Sequence, residues 1–343
     1  MTPHTTAAQA VTVLHDVPAP AKLNLFLHVV GRRPDGYHLL QTVFRFVDLA
    51  DQLDFERRTD GRVTRVTPLE GVPSAQCLTV RAALALQQAT GCAFGVDIHL
   101  RKRIPQGGGL GGGSSDAASV LLALNRLWRT GLSRRQLLHL ALPLGADVPV
   151  FVFGNNAFAE GVGEALQPMA LPAAWYVVVQ PAAEVPTGVV FSHPDLTRNT
   201  KPVRITDLPD LPLFGDKKLK DVQKSTPESR LSQGGKPGSD VWNAWQFGHN
   251  DLQPVVFQCF PVVRQAWVVA SSAVQQVGAS GCQVRMSGSG ACLFIECASQ
   301  QQAASIHAAI AATIRSSDVA AQAVRSVTVC AGLSSHPLQH WAL

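Results

Sequence analysis

Between Gly107 and Gly113, six of seven residues are glycine, within the stretch Pro105–Ala118 (PQGGGLGGGSSDAA). Such a run costs conformational entropy on ordering and gives no side chain to a core. What it offers is close backbone approach. It leads directly into Ser114–Trp128, which reads as a strong helix. Loop N–H groups followed by a helix N-terminus form a cradle for an anion. The alternative is a mobile glycine hinge, and the Ser-Ser-Asp start of the helix argues for an ordered loop instead. A Walker A loop requires GxxxxGK followed by Ser or Thr, but Gly113 is followed by Ser114 and the loop contains no Lys. A dinucleotide GxGxxG does match at Gly107, Gly109 and Gly112. However, Arg101–Gln106 separates it from the preceding strand, and no acidic residue stands near position 130. The HRD and DFG companions of a protein-kinase loop are absent.

Periodicity places this loop in a mixed fold. Ala21–Val30 (AKLNLFLHVV) sets Leu23, Leu25, Leu27 and Val29 on one face and Lys22, Asn24 and His28 on the other. That predicts a half-buried strand. Gly31–Gly36, with Pro-Asp-Gly, predicts a turn. Val43–Leu49, Gln52–Arg57 and Val96–Leu100 predict strands. Thr79–Thr90 and Ser133–Leu142 predict helices, and Val148–Phe153 is a buried element, strand or helix. Beyond residue 165 the pattern is strand Trp175–Gln180, one or two helices in Asn250–Val277, strands Gln283–Met286 and Cys292–Cys297, helix Gln300–Ile314 and strand Ala323–Cys330. This order suggests a split βαβ, ferredoxin-like module. The expected domains are 1–165, carrying the glycine loop, and 166–343, with a flexible surface insertion at Gly215–Asp240.

Composition narrows the function. At roughly 150 residues per domain, 343 residues suggest two domains. A hydrophobic share of 46% and a charged share of 15% exclude a disordered chain. No apolar run approaches the ~18 residues of a membrane span. The net charge is +5, but Gly215–Asp240 alone carries six positive and four negative side chains. The remainder is too weakly basic for a dedicated nucleic-acid binder and suits an anionic small substrate. Seven cysteines without CxxC or HExxH imply neither a disulfide framework nor a zinc site. They fit buried thiols in a reducing cytoplasm, and Met1–Pro20 lacks the pattern of a secretory signal. Whether the chain is a monomer or a homodimer is not legible.

The glycine stretch resembles the second motif of the GHMP small-molecule kinases. Three other blocks carry the resemblance in the family's order: Ala19–His28 (APAKLNLFLH) with Asp35–His38 (DGYH), then Gly145–Phe151 (GADVPVF), then Met286–Phe294 (MSGSGACLF). Asn250–Leu252 (NDL) also fits. The resemblance implies an α+β, two-domain fold, with a ribosomal-protein-S5-like N-terminal domain and a ferredoxin-like C-terminal domain. It implies ATP with Mg²⁺, and a small-molecule alcohol as acceptor. Pro105, Gln106, Gly107, Gly108, Gly109, Leu110, Gly111, Gly112, Gly113, Ser114 and Ser115 would hold the triphosphate.

By the same resemblance, Lys22 and Asp147 are the catalytic pair, Lys22 stabilising charge and Asp147 accepting the hydroxyl proton. The plainer readings are a solvated strand lysine and a capping aspartate. Asp116 is the competing carboxylate, read as a cap at a helix start. Ser114 and Ser115 read as helix caps, with Ser115 a candidate Mg²⁺ ligand. Asn24, Tyr37, His38, Phe191 and Thr187 resemble the residues that handle a cytidine diphosphate substrate. Aromatic faces suit a base, although Phe191 also fits a core position. Ser287 and Gly288 would close over the phosphates, or simply form a hairpin turn. Homoserine- or mevalonate-type kinases, and a non-catalytic nucleotide-binding regulator, remain alternatives.

Overall fold

A computed structural model describes residues 11–204 and 249–342, so the expected insertion at 215–240 lies outside the described residues. Two sheets organise the chain. The first contains β1 (Val13–Arg32), β2 (His38–Arg58), β3 (Val63–Arg65), β4 (Gly95–Arg101), β5 (Ala157–Glu160) and β6 (Ala165–Pro168). Its order is β3-β4-β2-β5-β6, with β1 antiparallel to β2 along nearly its whole length. The two strands expected at 43–49 and 52–57 are therefore one. Register shifts along β1 let this long pair bend without breaking. The β1–β2 turn forms as predicted, with Gly36 at φ 93° donating its N–H to Arg33 O at 2.9 Å.

Helices α1 (Leu78–Thr90), α2 (Gly112–Leu127), α3 (Arg134–Ala141) and α4 (Val148–Phe153) pack over this sheet. α1 ends where Gly91 adopts a left-handed conformation, and α3 starts at a reciprocal Ser133–Gln136 capping box. Val148–Phe153 settles as a helix, with Pro149 in its first turn and Gly154 just past its end.

The second sheet contains β7 (Trp175–Pro181), β8 (Val284–Met286), β9 (Leu293–Cys297) and β10 (Val324–Ala331). Its antiparallel order, β10-β7-β9-β8, is that of a ferredoxin-like split βαβ. α5 (Thr187–Ser192), α6 (Gln253–Cys259), α7 (Pro261–Gln276), α8 (Gln300–Ser316) and α9 (Asp318–Ala323) complete this unit. Pro254 and Pro261 do not interrupt a helix. Each occupies the first turn of its own helix, where a missing N–H costs nothing.

One expectation fails in an informative way: β1 is not half-buried. Lys22, Asn24 and His28 are only 2–3% exposed, as buried as the leucines on the opposite face. The second unit covers the polar face. Leu27 N–H donates to His249 O at 3.2 Å, and Asn24 N–H donates to Ser287 Oγ at 3.2 Å. β1 passes through all three apolar clusters of the described residues. Val17 and Ala19 join the first core, Leu23 and Leu25 a joint core with Tyr176 and Phe294, and Leu27 and Val29 the second core.

The end of the chain returns to the first unit. Leu338 and Ala342 are buried in its core, and Arg134 donates to the carbonyls of Val152, Phe153, Gln339 and Ala342. We place the division between units in residues 169–174, between β6 and β7, and count 333–342 with the first unit.

Buried in that returning segment, His336 accepts Leu338 N–H through Nδ1 at 3.0 Å and meets Phe46 edge-on. Burial, with Arg134 nearby, pushes its pKa down from 6.5 to about 3. A histidine depressed by folding is protonated first in the unfolded chain, so its contribution is lost as pH falls from 6.5 toward about 3. His336→Asn is expected to make the loss of stability on acidification shallower, as read by urea melts across that range.

Candidate active site

Lys22 is the centre of the site. Its Nζ lies 2.5 Å from Asn24 Oδ1, 3.2 Å from Asp147 Oδ2 and 5.4 Å from the Phe44 ring centroid. A buried ammonium needs such partners to offset its lost hydration. Asn24 is held in turn: its Nδ2 donates to Thr42 Oγ1 at 3.0 Å, and Thr42 donates to Phe26 O. Asn24 therefore stands with Lys22 and not with Tyr37 and His38. It pairs with Phe44, six residues along β2 from His38, roughly 20 Å away at strand spacing. The capping reading of Asp147 fails as well. It precedes α4 but makes no side-chain cap, and its side chain is 37% exposed. One carboxylate oxygen thus engages Lys22 while the group still reaches solvent.

The glycine loop divides into two functional halves. Its first triplet faces the second unit. Gly107 O and Gly108 O accept from Ala291 N–H and Cys292 N–H at 3.2 and 3.1 Å, and Gly109 O accepts from Ser287 Oγ at 3.1 Å. A Cβ on Gly109 would sit 2.2 Å from Ser287 O, at a backbone φ of +71°. Gly109 is required by this backbone-to-backbone contact, whereas a Cβ on Gly108 would meet the Cys292 side chain at 2.6 Å and one on Gly107 only the Glu184 side chain at 3.5 Å. The second triplet opens α2, which starts at Gly112, two residues earlier than expected, behind a left-handed Gly111. The amides of Gly112, Gly113 and Ser114 lack intrahelical acceptors and lie at the positive end of a 16-residue helix. With Pro105, Gln106 and the start of α1, this loop lines a cleft of about 340 Å³.

Neither serine caps α2, because the capping position is Gly111. Ser115 Oγ is fully buried and donates to Pro20 O at 2.7 Å, which withdraws it from any metal in the cleft. Ser114 is the hydroxyl that borders the cleft. Leu110 contributes its side chain to the joint core, and its carbonyl accepts Lys22 N–H at 3.0 Å.

Beneath the loop lies a cluster that sequence spacing could not reveal. Lys102 Nζ donates to Asp51 and, at 2.8 Å, to Asp116. Asp51 also accepts the N–H groups of Arg103 and Ile104 at 2.5 and 2.8 Å. Asp116 is therefore no helix cap but the underside of the loop. Burial pushes its carboxyl up to about 7 against the pull of Lys102, and the Asp51 charge adds to the rise.

A second group of candidate residues combines both units. The His38 and Phe191 rings stand 5.0 Å apart with a 34° tilt, while Tyr37, 65% exposed, projects from the β1–β2 turn. Thr187 and Ser289 hydroxyls pair at 2.8 Å, tying α5 to the Ser287–Gly290 turn. Asn250 Nδ2 holds that turn through Met286 O and Gly288 O at 2.9 and 2.7 Å. A Cβ on Gly288 would lie 3.4 Å from Lys22 Nζ, so this turn roofs the lysine. Ser287 and Gly288 are thus more than a plain hairpin. Arg198, which no sequence motif marked, donates to His38 Nε2 at 3.1 Å.

Two outcomes test this geometry. Gly109→Ala should destabilise the protein by about 2 kcal/mol or more, through a strained φ and a displaced Ser287 carbonyl, measured by urea unfolding. Because folding raises the Asp116 pKa, its ionisation costs stability as pH rises from 3.8 toward about 7. Asp116→Asn should therefore gain in melting temperature over the wild type as pH is raised from about 4 to 7, with little difference at the acidic end.

The GHMP kinases N terminal domain model matches residues 78–155, and the GHMP kinases C terminal model matches residues 242–316. A 4-diphosphocytidyl-2-C-methyl-D-erythritol kinase of Bordetella bronchiseptica is 53% identical over 332 residues, covering 96% of this chain and 98% of that protein. The protein of the same name in Ralstonia nicotianae is 50% identical, covering 83% of this chain and 86% of its own. A crystal structure of 4-(cytidine 5'-diphospho)-2C-methyl-D-erythritol kinase superposes with a TM-score of 0.66 at 32% identity, over 92% of this chain and 98% of that one. Homoserine kinase from Cytophaga hutchinsonii, at 16% identity and a TM-score of 0.61, shares the fold. With its two-unit α+β architecture, its glycine loop and near-full-length identity of about half, this chain belongs to the GHMP kinases, in the 4-diphosphocytidyl-2-C-methyl-D-erythritol kinase family.

Proposed function

We propose that the protein transfers the γ-phosphoryl group of ATP to the 2-hydroxyl of 4-diphosphocytidyl-2-C-methyl-D-erythritol, a step in the non-mevalonate supply of isoprenoid precursors. The observation that carries this reading is the Lys22–Asp147 pair, at 3.2 Å, beside a glycine-opened helix N-terminus. The names of the relatives supply the acceptor.

In this reading the triphosphate lies in the cleft, with its charge against the first amides of α2. Asp147 takes the proton of the acceptor hydroxyl, using the carboxylate that remains open to solvent. Lys22 stabilises charge on the oxygens as the phosphoryl group moves. Asn24 and Thr42 position the Lys22 ammonium, and the Ser287–Gly290 turn excludes water above it. A tertiary alcohol is a hindered nucleophile, so holding it in line contributes as much as proton transfer. Cytosine lies between Tyr37 and Phe191, with His38 at its edge and Thr187 nearby.

The Ser114 hydroxyl, which borders the cleft, and the Asp147 carboxylate, which is held by Lys22, are oxygen donors of the kind that suits Mg²⁺, a hard cation that keeps most of its waters. Bound with ATP, it would neutralise phosphate charge. Among the described residues no cluster of three or more His, Cys, Asp or Glu could hold a metal by itself. No helix of the described residues is long and apolar enough to cross a membrane. Two polar, nucleotide-bearing substrates fit an enzyme of the cytoplasm.

Asp147→Asn and Lys22→Ala are each expected to lower kcat by about 10²–10⁴. The check is ATP consumption with the cytidyl alcohol, and with homoserine and mevalonate as alternatives. Turnover with a different alcohol, or near-normal turnover in both variants, overturns the reading.

A further inference from the structure

His38 and Phe191 come from different units, and a single side chain ties them together. Arg198 Nε donates to His38 Nε2 at 3.1 Å. Its two Nη groups donate to Phe191 O at 3.1 Å, His193 O at 2.8 Å, Leu196 O at 3.0 Å and Pro194 O at 3.3 Å. The guanidinium thus fixes the segment that follows α5 from within and meets the imidazole with its remaining donor. Among the described residues, no hydrogen bond occupies His38 Nδ1.

Arginine is a donor only and does not give up its proton. A ring nitrogen that accepts from it carries no hydrogen, so the neutral imidazole must carry its proton on Nδ1. The doubly protonated ring could not accept at all. Burial, with the charges of Arg198 and Arg32, holds His38 below its ordinary pKa and so favours the neutral ring.

We propose that Arg198 is a positioning residue that locks His38 as an Nδ1–H donor, and that this lock sets a preference for cytosine over uracil in the acceptor substrate. The proposal rests on the cytidyl reading above. Cytosine N3 is a bare acceptor and satisfies the donor. Uracil N3 carries a hydrogen and opposes it. An unlocked histidine can exchange tautomers and accept from uracil, but one held by a guanidinium cannot. The sequence marked His38 for its place in the DGYH block. Only the fold brings Arg198 to it, across 160 residues.

The test has two arms on the full chain. In the first, ¹⁵N spectra of histidine-labelled protein, with His38 assigned by its loss in His38→Gln, report the tautomer without any ligand. The Nδ1–H form is expected in the wild type, with a shift toward Nε2–H in Arg198→Met. In the second, Arg198→Met should raise KM for the cytidyl substrate about 10- to 100-fold, the cost of an edge contact left unsatisfied. KM for ATP should hold, and the preference over the uridine analogue should narrow by a similar factor. Arg198→Lys, which keeps a donor-only cation, should retain part of that preference.

A wild-type His38 protonated on Nε2 overturns the proposal. So does an unreduced cytosine preference in an Arg198→Met protein that melts normally. Should Arg198→Met fail to fold, the wild-type tautomer decides. If the wild type fails to phosphorylate the cytidyl alcohol, the functional reading falls, and the tautomer measurement still decides what Arg198 does.

Discussion

A lysine ammonium only 2% exposed on β1 is the constraint around which the molecule is arranged. Lys22 can be buried because Asp147 neutralises it, Asn24 accepts from it and the Phe44 ring lies beneath it. Each partner has its own anchor. Asp147 stands at the start of α4, whose apolar residues are embedded in the first core. Asn24 is fixed by Thr42 on β2 and by Ser287 of the second unit. Covering the lysine therefore requires both units, and the strand that bears it runs through all three apolar clusters of the described residues.

The same requirement explains the glycine loop. An anion site needs amides free of side chains, while a roof over Lys22 needs the second unit's backbone close by. The loop meets these demands in succession, with Gly107–Gly109 docked against Ser287–Cys292 and Gly111–Gly113 opening α2. Lys102, Asp51 and Asp116 brace it from below. The cleft and the Lys22–Asp147 pair consequently share the glycine loop. A kinase that works mainly by positioning gains from such coupling.

Local patterns made much of this legible. Alternation and helical periodicity located most of the strands and helices, because each has one face committed to a core. Where local reading erred, a distant segment was the cause. β1 looked half-buried because nothing in AKLNLFLHVV tells that Ser287 and His249 cover its polar face. Ser114 and Ser115 looked like caps because left-handed glycine, the actual cap, leaves no side chain to read. Ser115 looked like a metal ligand because its bond to Pro20 joins positions 95 residues apart.

By itself, the sequence determined the family, the ferredoxin-like second half, the glycine loop and the candidacy of Lys22 and Asp147. These rest on contiguous motifs and on periodicity, which survive without coordinates. Tertiary structure decided which charges meet. Lys22 with Asp147, Lys102 with Asp51 and Asp116, and Arg198 with His38 are all pairings of remote positions. It also decided what the first three glycines of the opening run are for. A single sequence carries no local sign of such pairings, because their energy depends on burial and distance, and both exist only once the chain has folded.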